Sequence, residues 1–177
     1  MIQLHDKIFE PCISAEEIHK IIAQMSSKMN NLKNDKPHFI VVLNGSFLFA
    51  ADLLKQLNFD AEVSFIKLQS YEGTNNTGTV TEVMGLQANI SNRTVVVLED
   101  IVDTGITLEK IYTILESKNP KEIKIATLLF KPSAYQMELD IHYIGKEIPN
   151  EFVVGYGLDY KELGRTLPQI YKLKNNS

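Results

Sequence analysis

Three acidic residues fall close together in the run TVVVLEDIVDTGITL at positions 94–108: Glu99, Asp100 and Asp103. The four apolar residues before them, Val95, Val96, Val97 and Leu98, read as a fully buried strand. A small turn follows, made of Thr104, Gly105, Ile106 and Thr107, and then Leu108, Ile111, Ile114 and Leu115 recur at helical spacing. The order is therefore strand, acidic loop, helix. In an open α/β sheet, ligands sit beyond the carboxyl ends of the strands. The helix opens with unpaired N–H groups and the positive end of its dipole, which suits a phosphate monoester. The hydroxyls of Thr104 and Thr107 add donors, and Gly105 lets backbone come close. Glu99 and Asp100 can accept hydrogen bonds from vicinal hydroxyls, so the whole fits a ribose 5-phosphate. Acids near a helix start also complement its dipole. Two charges side by side after a buried strand, however, are costly unless something positive or hydroxylated meets them.

The elements that must hold this run can be read around it. At 177 residues, the chain is expected to be one domain with a real core. A composition of 44% hydrophobic and 23% charged residues is that of an ordinary soluble globule. The net charge of −4 argues against non-specific nucleic-acid binding. A single cysteine, Cys12, leaves no internal disulfide and no cysteine metal cluster, which fits a cytoplasmic setting. The first residues lack a basic start followed by a long apolar run, so no signal peptide is expected. No stretch approaches the roughly 20 apolar residues of a membrane span.

Residues 1–13 read as irregular, with Pro11 as a break. Ser14 and Glu17 form a capping-box pattern that opens a helix with Ile18, Ile21, Ile22, Met25 and Met29 on its apolar face and His19 off it. Phe39 to Leu43 is a second short buried strand. It runs into Asn44, Gly45 and Ser46 and then a helix, an arrangement that serves either as a plain N-cap or as an anion site. Strands are expected over 61–68, 79–86 and 122–130, with a short one at 142–144. Between the first two of these lies a small polar loop, 70–78, which taken alone is an ordinary surface loop. Lys131 ends the strand 122–130, a place where lysine is usually solvated. The stretch FVVGYGLDY, 152–160, with Arg165 after it, reads as core on composition alone. Arg165 is one of only two arginines, and its guanidinium suits bidentate phosphate binding.

The run 94–108 resembles the phosphoribosyl-pyrophosphate motif of type I phosphoribosyltransferases. The segment 152–165 is similar, almost letter for letter, to the base- and metal-binding tail of the hypoxanthine branch of that family. The resemblance covers nearly the whole chain and implies the family's fold: a parallel central sheet flanked by helices, with a small hood from about 1–13 and 140–177. It implies Mg²⁺-dependent transfer of a phosphoribosyl group from phosphoribosyl pyrophosphate to N9 of hypoxanthine or guanine, in purine salvage. By the same resemblance, Glu99 and Asp100 hold the ribose hydroxyls, in part through metal, and Thr104, Gly105, Ile106 and Thr107 hold the 5-phosphate. Asn44, Gly45 and Arg165 bind pyrophosphate, with a cis peptide at Leu43-Asn44. Ser70 and Tyr71 close a lid over the bound sugar diphosphate. Asp103 is the general base or acid at the purine. Lys131 donates to the 6-oxo group, Phe152 stacks on the base, Val153 offers backbone groups to its edge, and Asp159 meets Mg²⁺. The partners implied are these substrates and further copies of the chain, as a homodimer or homotetramer. Asn44 and Ile106 depart from relatives that carry lysine at those places, which bears on affinity for pyrophosphate and phosphate.

Three other readings compete. A nucleotide-sensing regulator on the same fold would need a basic face, and the chain is acidic with no arginine cluster. A Rossmann-type enzyme would need a G-x-G-x-x-G turn after an early strand, and none is present. A transferase preferring xanthine differs only in the groups that meet position 2 of the base.

Overall fold

The computed structural model describes residues 1–70 and 80–174. Ten strands and three α-helices alternate along the described chain. The first part runs β1 (Ile2–Leu4), β2 (Lys7–Ile13), α1 (Ala15–Met29), β3 (His38–Val42), α2 (Phe47–Leu54), β4 (Glu62–Ser70) and β5 (Val80–Met84). The second runs β6 (Thr94–Val102), α3 (Ile106–Glu116), β7 (Glu122–Phe130), β8 (Tyr143–Glu147), β9 (Val153–Val154) and β10 (Ile170–Leu173). Among the described residues, no helix is long and apolar enough to cross a membrane.

Six strands form the main sheet in the order β5-β4-β3-β6-β7-β8. All neighbours are parallel except β5, which pairs antiparallel with β4 at the edge. From β3 the chain moves one way to β4, and from β6 the other way to β7 and β8. The crevice between the ends of β3 and β6 is thus where the direction of winding reverses, the place where open α/β sheets bind ligands.

Burial on both faces explains the nearly unbroken apolar runs of β3 and β6. Phe39, Val41, Val96 and Leu98 pack with α1 and α2 on one face. Ile40, Val42, Val95 and Val97 pack with Leu108, Ile111 and Leu115 of α3 on the other. The capping pattern at α1 is half made: the Ser14 hydroxyl accepts from the Glu17 N–H at 3.1 Å. The Glu17 carboxylate pairs instead with Lys146 at 2.8 Å. Ile18, Ile21, Ile22, Met25 and Met29 are all buried, as their spacing predicts, and His19 is exposed.

A second, antiparallel sheet has the order β1-β2-β10-β9 and carries its own small core of Phe9, Val154 and Tyr171. It draws its strands from the two ends of the chain. Two expectations need correction here. Residues 1–13 are not irregular, because β1 and β2 pair as a hairpin from Ile2↔Phe9 to Leu4↔Lys7. Pro11 is tolerated in β2 because β1 has already ended; there β2 has only Tyr171 of β10 as partner, beside a bulge. And β8, inside the range expected for the hood, belongs to the main sheet, parallel to β7.

The α2 helix begins at the loop after β3, so its anchorage fixes where that loop lies. Its Leu53 is wholly buried in the cluster shared with α1. Leu53→Ala should cost about 3 kcal/mol of stability, lowering the melting temperature by roughly 6–12 °C. Calorimetry of the two proteins checks this, and an unchanged melting temperature would show that α2 is not anchored by this contact.

Candidate active site

The strand β6 carries its acids into the sheet. A loop was expected from Glu99 onward, but the strand continues to Val102, with Glu99 opposite Thr127 and Val102 opposite Phe130 of β7. The reason lies in the neighbour: β7 stays apolar to Phe130, so the ladder has a partner past the acids. Side chains alternate along a strand, and Glu99 and Asp100 accordingly enter different clefts. Glu99 lines one with the turn at 101–108. Asp100 lines the other, about 210 Å³, with Gly45, Asp103, Lys131 and the C-terminal stretch. Ile101 and Asp103 border both clefts, so the two adjoin.

Electrostatics at this strand end are unfavourable to charge. Burial, with the neighbouring Asp100 adding to it, pushes the Glu99 carboxyl well above the usual range. Asp100 is pushed up to about 6, chiefly by burial, against the pull of hydrogen bonds from backbone N–H groups and the charge of Arg165. One of those bonds comes from Ile101 N at 3.0 Å. A Cβ on Gly45 would fall 1.6 Å from Asp100 Oδ2, so a larger residue there would push the carboxylate aside. The peptide entering this loop, Leu43-Asn44, is cis. Gly45 lines the second cleft, and the exposed Asn44 precedes it.

The turn after β6 has the geometry of an anion site. Gly105, at φ +87°, caps α3 and begins it at Ile106. The Ile106 N–H reaches Thr104 Oγ1 at 3.5 Å, and Ile106 and Thr107 are exposed. A Cβ on Gly105 would lie 2.6 Å from the Tyr135 ring and 2.7 Å from Met137, so the chain after β7 packs over the turn. Gln136 N donates to Thr104 O at 3.1 Å from the same segment. Nothing in the local sequence signalled this roof.

In the second cleft, the Lys131 ammonium donates to Asp103 Oδ2 at 2.6 Å. Lys131 is 6% exposed, contrary to the solvated strand end that its position alone suggested. Phe152, 44% exposed, presents a ring to the same cleft, with Val153 beside it. Phe152 is backed by Tyr160, edge-on at 5.8 Å and 82°, and by Phe9 at 6.2 Å. Lys7 Nζ lies 5.6 Å from the Phe152 centroid and 4.8 Å from that of Tyr160. Opposite, Arg165 pairs with Asp159 Oδ1 at 2.7 Å and donates to Gly157 O at 2.9 Å. Asp159 Oδ2 also accepts from Glu162 N at 2.7 Å.

Residues from four distant parts of the chain therefore meet. Gly45, Asp100, Asp103, Lys131, Phe152, Val153, Asp159 and Arg165 share one cleft, and Glu99 with Thr104, Gly105, Ile106 and Thr107 form its neighbour. Ser70 ends β4, while Tyr71 and the rest of the expected lid, through 78, lie outside the described residues. Phe9, Lys7, Tyr135 and Tyr156 were not singled out in the sequence.

The chain is similar to known proteins along nearly its whole length. The family model for the phosphoribosyl transferase domain matches residues 14–161. A curated relative from Staphylococcus epidermidis, a hypoxanthine-guanine phosphoribosyltransferase, is 40% identical over 173 residues, 97% of each chain. A crystal structure of a hypoxanthine phosphoribosyltransferase from Staphylococcus aureus superposes with a TM-score of 0.88 at 37% identity, covering 96% of this chain and 94% of that one. A hypoxanthine-guanine phosphoribosyltransferase from Bacillus anthracis, with a HEPES molecule in its active site, gives 0.87 at 35% identity, covering 93% and 98%.

The raised Asp100 makes a prediction about pH. Unfolded, this carboxyl ionises in the usual range; folded, it keeps its proton until about pH 6. Its burial is thus tolerated at low pH and becomes destabilising as pH rises through that window. Asp100→Asn, which is neutral throughout, should gain melting temperature relative to wild type on going from about pH 4 to about pH 8 in metal-free buffer. A difference that does not change with pH would mean that Asp100 ionises normally.

Proposed function

The chain belongs to the phosphoribosyl transferase domain family, and from that premise we propose that it is a purine-salvage transferase. It moves the 5-phosphoribosyl group of phosphoribosyl pyrophosphate to N9 of hypoxanthine and guanine, giving the nucleoside monophosphate and pyrophosphate. The observation that carries the choice of base is the buried Lys131 ammonium, held in one cleft with Phe152 and Val153. An ammonium is a donor only. It rewards an acceptor such as a 6-oxo group and is left unpaired by a 6-amino group, a difference that a buried site makes costly.

The residue roles derive from the same cleft. The base stacks on Phe152 and takes backbone hydrogen bonds at Val153. The helix start from Thr104 to Thr107 binds the 5-phosphate through its N–H groups and hydroxyls, which fixes the sugar. Gly45 and Asn44 offer backbone to the pyrophosphate, and Arg165 supplies the cation. Glu99 and Asp100 take the ribose hydroxyls; a hydroxyl that donates to them lowers the cost of ionising both. In the reaction the bond from the anomeric carbon to the pyrophosphate oxygen breaks and the bond to N9 forms. The proton displaced from the base passes to the Asp103 carboxylate, which the Lys131 ammonium steadies at 2.6 Å. Ser70 and Tyr71 belong to the lid in this reading.

Mg²⁺ is part of the proposal. Asp100 and Asp159 line one cleft, and the charge of Asp159 adds to the burial that hinders ionisation of Asp100. That pair of carboxylates, with Glu99 next door, suits a hard cation that keeps waters and substrate phosphates among its ligands. When bound, the metal would offset the charge of the pyrophosphate leaving group. A single domain, a homodimer or homotetramer and a cytoplasmic location complete the reading. The last rests on the single cysteine, Cys12.

Purified protein with Mg²⁺ and phosphoribosyl pyrophosphate should convert hypoxanthine and guanine to nucleotides and leave adenine untouched. Turnover of xanthine above both would move the assignment to a xanthine-preferring transferase. Binding of the sugar diphosphate without turnover of any base would point to a nucleotide sensor. Asp103→Asn keeps the hydrogen bond but cannot take the proton, so kcat should fall by about 10²-fold or more while KM values change far less. Undiminished kcat would remove Asp103 from proton transfer.

A further inference from the structure

The turn between the base-stacking residue and Arg165 is unusual in backbone and in anchorage. Gly155, Tyr156 and Gly157 have φ of +102°, +51° and +102°. Two glycines adopt such values freely, but a tyrosine does so only when its surroundings hold it there. Tyr156 is 4% exposed, and its hydroxyl donates to Asp52 Oδ2 of α2 at 2.5 Å. The Asp52 carboxylate is also held by Lys55 at 2.8 Å. One residue on, Gly157 lies against the pyrophosphate loop so closely that a Cβ would come within 1.9 Å of Gly45 O. The Gly157 carbonyl accepts from Arg165, and Gly157 N donates to Arg165 O at 2.9 Å.

We propose that Tyr156 and Asp52 are a positioning pair that locks the turn 155–157 onto α2, setting Gly45 and Arg165 at the separation that pyrophosphate requires. The inference rests on the reading given under Proposed function. The loop at Gly45 leads directly into α2, and Asp52 sits on that helix. The turn carries the backbone to which Arg165 is bonded. A hydrogen bond between α2 and the turn therefore joins the two sides of the anion site from behind, without touching substrate. A buried tyrosine that merely satisfies its hydroxyl would contribute to stability alone. Here the carboxylate is kept charged by Lys55 and Tyr156 against its burial, and burial beside that carboxylate keeps the phenol protonated, so the bond persists across the working pH range. The pair also ties the purine side of the cleft to the phosphate side, because Phe152 and Val153 enter the same turn.

The test is the affinity of the Mg²⁺-supplemented protein for phosphoribosyl pyrophosphate by titration calorimetry, with kinetics and melting temperature on the same samples. Tyr156→Phe keeps the ring and loses the donor; Asp52→Ala loses the strong acceptor and leaves only the Leu48 carbonyl at 3.5 Å. Each should weaken phosphoribosyl pyrophosphate binding, and raise its KM, by about tenfold, the effect of losing a hydrogen bond to a charged group. The kcat should stay within about twofold. Asp52→Asn still offers an oxygen and should restore most of the affinity. Lys55→Ala leaves the Tyr156 bond in place but removes one support of the Asp52 carboxylate, so it should weaken binding less than Tyr156→Phe does. A lower melting temperature with unchanged affinity in Tyr156→Phe and Asp52→Ala would overturn the pair as a positioning device and leave it structural. Absence of turnover in wild type would instead overturn the transferase reading, while the ratio of affinities would still decide the pair.

Discussion

Two carboxylates at the end of a strand packed on both faces set the terms for this molecule. Glu99 and Asp100 follow four fully apolar residues, and burial holds both towards the protonated form. Carboxylates perturbed in this way cluster where ligands bind. Each neighbouring element can be understood as a response. The loop at Gly45 comes so close to Asp100 that a Cβ there would displace the carboxylate. Arg165 brings positive charge from the far end of the chain. The ladder with β7 keeps the strand rigid past the acids and delivers Lys131 beside Asp103.

The division of labour between the two faces of β6 comes from its pleat. One acid faces the turn that opens α3, the other faces the hood. In the proposed reading, a sugar bridging the strand end meets both, with its phosphate on one side and its leaving group on the other. The two ion pairs of the cleft belong to the same arrangement. Lys131 rests on Asp103 and Arg165 on Asp159, so neither cation is buried alone before substrate arrives.

The small sheet is less a separate unit than a wall. Phe152 stands on it with Phe9, Tyr160 and Lys7 behind. Its turn at 155–157 is pinned to α2 by Tyr156 and presses on Gly45. The Phe152 side and the Gly45 side of the cleft are in this way joined through Tyr156 and Asp52.

What the amino-acid order determined by itself was whatever depends on near neighbours. The apolar face of α1 and the run from β6 into α3 were legible because their periods repeat within a few residues. The acids, Lys131 and the stretch from Phe152 to Arg165 were legible as types and as a resemblance. Other features depended on segments far apart in the chain. Pro11 was read as a break, yet it sits in a strand because β1 happens to end before it. Glu99 and Asp100 were read as loop, yet β7 extends the ladder past them. Tyr135, over the turn at Gly105, carried no local sign, nor did Lys7 behind Phe152 or Asp52 under Tyr156. Their partners lie dozens to more than a hundred positions away, and only the packing of sheet, helix and hood brings them into contact.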